Sequence, residues 1–150
     1  MVAVCFSEND YYNIFPMDFK CLCYDDDLCI LGLRTTNITL KKMIAAGKVV
    51  IGDTDRAPLK TIYDLGNHHS STPPPVSELP FKVGESKLFK FPVPAFCASY
   101  IEVAFYHSEG VGSHTLLIGR IIHRSRAAEP PHHLYHYHYF GHIGAGHEWL

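Results

Sequence analysis

The chain has 150 residues, 47% hydrophobic and 19% charged, enough for one domain with a real core and too short for two comfortable ones. A hydrophobic share this large argues against disorder, and a formal charge of -2 argues against nucleic-acid binding, which needs a basic face to neutralise phosphates. No apolar run approaches the roughly 20 residues that cross a bilayer, and no basic-then-apolar leader opens the chain, so a cytoplasmic protein without membrane contact is expected.

In chain order, residues 2–6 form a short apolar run that starts almost at the first residue. A strand without a lead-in is expected to begin inside a fold, with a preceding segment missing. Ser7-Glu-Asn-Asp10 is a turn cluster, and residues 11–15 resume a strand pattern, so a hairpin is predicted. Residues 28–33 read as a buried strand. Across residues 36–46, Ile38, Leu40, Met43 and Ile44 recur at near-helical spacing, with Gly47 placed as a C-cap glycine. Thr35, Thr36 and Asn37 are all able to cap the start of that helix. Residues 49–52 form the next strand.

Residues 53–94 read mostly as loop. Within them Ser70-Ser-Thr-Pro-Pro-Pro75 has no capacity for helix or ladder, so an extended surface crossing is expected. Residues 98–106, 115–123 and 134–140 are the remaining predicted strands. The whole is a mainly β protein, a barrel or sandwich with one or two helices.

Four groups of residues carry chemical content. Arg34-Thr-Thr-Asn-Ile-Thr39 places a guanidinium, hydroxyls and an amide at a helix start, where open amides and the helix dipole favour an anion. The plainer alternative is ordinary capping beside an exposed Arg. His114 follows Gly112-Ser113 at a strand-to-strand corner, where it is either solvated or a tunable donor to a ligand. Cys21-Leu-Cys23 with Cys29 has too few partners for a convincing zinc site, and the odd total of five cysteines reads as free thiols. Six of the eleven histidines lie between His132 and His147. His136 and His138 can in principle hold a metal, but an aromatic strand face packed on an interface or a planar ligand is the preferred reading. No nucleophile elbow, Walker loop or dinucleotide fingerprint is present. Any catalysis would therefore depend on a cofactor for its hard step.

Taken in order, these segments resemble the flavin reductase-like family, the FMN-binding split-barrel proteins that include flavoredoxin. The resemblance rests on Tyr12-Asn-Ile-Phe-Pro-Met-Asp-Phe19, on Thr39-Leu-Lys-Lys-Met-Ile-Ala-Ala-Gly47 followed by Val49-Val-Ile51, on Ile62-Tyr-Asp-Leu-Gly66, Leu79-Pro-Phe81 and Phe91-Pro-Val-Pro94, and most specifically on Val111-Gly-Ser-His-Thr-Leu-Leu-Ile-Gly-Arg120. The late strand His136-Tyr-His-Tyr-Phe140 also fits. Lys42 and Gly52 stand where the family usually has Asn, and Ser113 where it more often has Asp.

The resemblance implies a split β-barrel over residues 1–150, with FMN as cofactor and NADH or NADPH as electron donor. It implies that the 5′-phosphate lies on Arg34, Thr35, Thr36, Asn37 and Thr39, with Arg34, Thr36 and Thr39 foremost. Asn13 would face the isoalloxazine or ribityl edge, and Met17, Asp18 and Phe19 would supply backbone contacts and an apolar wall. His114 would reach the flavin from its corner. It further implies a homodimer with FMN near the subunit interface, where Phe140 and His138 contribute, and a small-molecule flavin or other acceptor for the electrons. Two rivals are a flavin-binding electron carrier without NAD(P)H turnover and, more distantly, a His/Cys metal-binding protein.

Overall fold

A computed structural model of the protein describes residues 1–9, 11–67, 72–126, 134–137 and 141–144. Its main feature is a seven-stranded sheet of β1 (Val2–Glu8), β2 (Tyr11–Met17), β3 (Lys20–Cys23), β4 (Leu28–Arg34), β5 (Lys48–Gly52), β8 (Tyr100–Val111) and β9 (His114–Ser125). The strand order is β2-β1-β5-β8-β9-β4-β3, and every neighbouring pair is antiparallel. Its two edges are consecutive in the chain. Met17 ends β2 and Lys20 begins β3, with Asp18 and Phe19 between them. Three Cα steps reach about 11 Å, whereas the edges of a flat seven-stranded sheet lie about 29 Å apart. The sheet therefore rolls until its edges nearly meet at residues 17–20. It is a barrel left open along one seam, as the resemblance implies.

The interior is filled by Val4, Phe6, Leu31, Met43, Val49, Val103 and Leu117, all fully or almost fully buried. β1 is apolar on both faces because α1 (Ile38–Ala46) packs beside it. Asn37 caps α1, its side-chain oxygen accepting from the Thr39 N–H at 2.9 Å, and Gly47 closes it in the left-handed region, at φ 65. Only Leu40 and Met43 of its apolar positions are buried; Ile38 and Ile44 face outward.

The predicted hairpin, the strand before the helix, the helix and the strand after it are all present. The segment from residue 53 to 94 is a correction. It holds α2 (Leu59–Asn67), a 3₁₀ turn (Val76–Glu78), and a small hairpin of β6 (Val83–Glu85) and β7 (Pro92–Pro94). α2 carries Leu59, Ile62, Tyr63 and Leu65 at helical spacing and buries Ile62, but it is nine residues long and ends in Gly66-Asn67, so a reading of the whole segment as loop misses it. Its start is marked by Pro58, whose carbonyl accepts from Thr61 and Ile62. β7 is a Pro-Val-Pro strand in a two-stranded ribbon, where missing donors are tolerated. β3 is also additional. Near the C-terminus, β10 (Leu134–Tyr137) pairs with β11 (Gly141–Gly144). Ser70, Ser71, His138 and Phe140, about which the sequence raised expectations, lie outside the described residues. Among the described residues, no helix is long and apolar enough to cross a membrane.

Candidate functional site

The β8–β9 hairpin turns on Gly112 and Ser113, with Gly112 at φ 57, a left-handed value that a tight two-residue turn requires. His114 is thus the first residue of β9, and the β4–β9 register pairs it with Arg34, the last residue of β4. The chain leaving β4 is stitched to the hairpin tip. Thr35 donates its N–H to the Ser113 carbonyl at 3.0 Å, and the Thr35 and Thr115 hydroxyls lie 3.2 Å apart. Asn37 N–H donates back to the Arg34 carbonyl at 2.9 Å and the helix begins.

This stitching determines which groups are left over. The Thr35 hydroxyl is engaged by Thr115, and the Asn37 amide oxygen by the helix cap. Thr39 accepts from Asn13 Nδ2 at 3.3 Å. The Arg34 guanidinium and the Thr36 hydroxyl are exposed and bond to no other described residue. A phosphate at a helix start needs a cation, a hydroxyl donor and open first-turn amides. Arg34 and Thr36 supply the first two, and the chemistry of this donor set fits a phosphate.

Beside this turn lies an aromatic surface. Phe19 is 58% exposed although it is held firmly. Its carbonyl accepts from Gly32 N–H at 3.1 Å, and its ring lies on Gly32, where a Cβ would come 1.8 Å from a ring carbon. Glycine at position 32 is therefore what leaves room for the ring against β4. His114 meets that ring edge-on, 6.2 Å between centroids at 84°. Ser113 Oγ sits 3.0 Å from His114 Nδ1, which leaves Nε2 for a ligand. An apolar ring with one polar edge group is what a planar ligand needs.

Asn13 sits on β2 on the far side of the helix start, linked to the turn through Thr39. Tyr11 joins it. Burial pushes the Tyr11 hydroxyl up, and hydrogen bonds with Thr39 and Asn13 pull it back. The Lys42 ammonium stands 4.0 Å from the Tyr11 ring centroid. Tyr11 and Lys42 escaped the sequence reading, since nothing in local spacing joins a β2 residue to the second turn of α1. A cleft of about 140 Å³ flanks Asn13, lined by Tyr12, Thr61, Leu65 and Pro74 among others. It is too small for a three-ring cofactor, which needs roughly 300 Å³ or more.

Six of the expected residues, Arg34, Thr35, Thr36, Asn37, His114 and Phe19, thus form one surface, with Thr39 and Asn13 reached through the helix start. Asp18 is exposed next to Phe19. Met17 is buried in the core, so what it offers a ligand is main chain. Phe140 lies outside the described residues. All five cysteines are free thiols, and no cluster of three or more His, Cys, Asp or Glu suited to a metal occurs among the described residues.

Searched by sequence, the chain matches no family model and no curated protein significantly. Solved structures match it strongly. The NADH:FAD oxidoreductase SgcE6 of Streptomyces globisporus C-1027 superposes with a TM-score of 0.73 at 14% identity, covering 87% of this chain and 78% of that one. The flavin reductase HpaC in complex with NADP+ gives 0.73 at 16% identity, covering 89% and 82%. An FMN-binding protein from Thermus thermophilus, with bound p-hydroxybenzaldehyde, gives 0.69 at 15%, covering 83% and 69%. The chain has the flavin reductase-like fold, a mainly β split barrel shared with flavin reductases and FMN-binding proteins.

Proposed function

We propose that this chain is an FMN-binding oxidoreductase of the flavin reductase type, taking hydride from NADH or NADPH and passing electrons to free flavin or another small acceptor. One observation carries the reading. The turn that joins β4 to α1 leaves the Arg34 guanidinium and the Thr36 hydroxyl unengaged beside an exposed ring, Phe19, and a half-buried imidazole, His114. That juxtaposition suits a ligand with a phosphate at one end and a flat apolar body at the other, on a fold whose solved representatives include flavin reductases.

In this reading Arg34 and Thr36 hold the phosphate, with Asn37 and Thr39 keeping the helix start in shape. Phe19 and His114 bound the ring system, and Asn13 positions Thr39 from behind. FMN, when bound, supplies the two-electron chemistry; the protein's residues bind, orient and exclude water. The Phe19 and His114 surface lies open on the single chain. We infer that a second copy completes the slot in a cytoplasmic homodimer.

Native purification followed by an absorbance spectrum and FMN titration tests the proposal. A colourless protein that takes up no FMN would remove it. Anaerobic addition of NADH or NADPH then separates an enzyme from a carrier. Bleaching near ~450 nm, the oxidised-flavin band, is expected, and bound FMN that stays oxidised would leave a flavin carrier.

A further inference from the structure

The Cys21 and Cys23 thiols play no part in the surface described above, and the fold sets them side by side. They stand on β3, the last strand of the sheet, with Cys21 exposed and Cys23 half-buried, and their sulfurs are 3.9 Å apart. Alternation along the strand puts both on one face. The third nearby thiol, Cys29 on β4, is on the other: it is paired with Leu22 of β3 and fully buried. The fold thus separates this accessible pair from the buried Cys29.

We propose that Cys21 and Cys23 form a thiol–disulfide exchange site for low-molecular-weight disulfides. Cys21, the more open thiol, attacks one sulfur of the external disulfide as thiolate. The external S–S bond breaks, one small thiol leaves with a proton, and a mixed disulfide stays on Cys21. Cys23 then attacks the Cys21 sulfur, and the second small thiol leaves with the second proton. Two electrons pass from the protein thiols to the external disulfide, which is reduced to two thiols. Hydrogen bonding to Cys21 comes first among the causes that hold the Cys23 thiol above its ordinary value, followed by the charges of Cys21, Asp26 and Asp25.

Geometry also predicts a weak bridge. Residues two apart on an extended strand lie about 6.6 Å apart at Cα, near the upper limit of roughly 6.8 Å for a disulfide. The sulfurs must close from 3.9 Å to about 2.05 Å. β3 can pucker to allow this, since among the described strands it is paired with β4 alone. A strained, exposed disulfide is readily reduced again, which makes the pair reversible rather than structural.

The test uses the full chain, oxidised glutathione as probe, alkylation of remaining thiols under denaturing conditions, and mass spectrometry of the tryptic peptide covering residues 21–34. The expected product is a bridge between Cys21 and Cys23, the peptide about 2 Da lighter for two lost hydrogens, with Cys29 alkylated. Excess reduced glutathione should restore all three thiols. In Cys23→Ser the reaction should stop with one glutathione on Cys21. Recovery of the wild-type peptide with Cys21 and Cys23 both alkylated, with glutathione on each, or with a bridge to Cys29 would overturn the proposal. The wild-type result decides the matter whether or not the variant folds.

Discussion

Two polar regions of this molecule behave oppositely. Around the β8 entry, Glu102 is fully buried and its carboxylate accepts from the Leu88 and Phe89 amides at 2.8–3.1 Å. Asp53 accepts from the Ala98 and Ser99 amides and from the Ser99 hydroxyl. Both charges are satisfied by the chain itself, and their work is to pin the loops that lead into β8. At the opposite kind of site, the β4–α1 turn is closed by main-chain bonds and short side chains, so the Arg34 guanidinium and Thr36 hydroxyl hold no other described residue. A polar group saturated from within marks architecture. One left over beside an apolar ring marks a place for a ligand.

Breaking the first region should cost stability, and breaking the second should cost binding. The largest effect is expected from Glu102→Ala, which removes a fully buried carboxylate and frees the Leu88 and Phe89 amides it anchors, and should lower the unfolding free energy by about 3 kcal/mol, read by urea denaturation, with any bound FMN stoichiometry unchanged in the fraction that remains folded. Arg34→Ala should leave the melting temperature within about 1 °C, a surface substitution away from packing, but weaken FMN by about 1.5–3 kcal/mol, or roughly 10- to 150-fold, by titration. Unchanged affinity would take Arg34 out of the site.

Gly32→Ala should show an intermediate pattern. The new methyl cannot coexist with the Phe19 ring as placed. That ring is exposed enough to swing away, so stability should fall by under about 1 kcal/mol while FMN affinity drops several-fold by the same titration, about 1 kcal/mol of lost ring contact. Equal losses in Gly32→Ala and Phe19→Ala would tie both effects to one ring position.

The smallest effect concerns pH. Burial holds the Asp53 carboxyl above its ordinary value of 3.8, its bond with Asp55 pushes the same way, and the Ser99 and Ala98 bonds oppose both. The folded chain thus binds this proton more tightly than the unfolded one. The associated stability is complete below 3.8 and is lost as pH rises through the folded value. Relative to Asp53→Asn, the wild type should gain stability as pH falls from neutral toward that range in urea titrations. A loss over the same interval would mean that the three donors dominate over burial.

Much of the fold was legible because its signals are local. The β1–β2 turn cluster, the buried β4 run, Asn37 before α1 and Gly47 after it all act within a few residues, and the structure uses each of them; of the three capping candidates, Thr35 and Thr36 do not cap. α2 stayed hidden although Leu59, Ile62, Tyr63 and Leu65 recur at helical spacing, because the stripe is only nine residues long inside a segment rich in turn formers. β7 was hidden by prolines that a central strand would forbid and a short ribbon permits, and β6 by its three-residue length around Gly84. The candidate turn was legible as a donor set, but which donors remain open was not. Thr35 is engaged by Thr115, eighty positions away in the chain, and Tyr11 and Lys42 meet only because α1 lies against the first hairpin.

Residue order and chemistry were enough to specify the strand, helix and turn types and to place a cation and hydroxyls at a helix start, because caps, turns and alternation depend on neighbours along the backbone. Only the folded barrel could bring Phe19 onto Gly32, set His114 opposite Arg34, and put the Cys21 and Cys23 sulfurs on an open edge with Cys29 turned inward. Those outcomes depend on strand register and on the closing of the sheet around residues 17–20, which are long-range packing results that no local window contains.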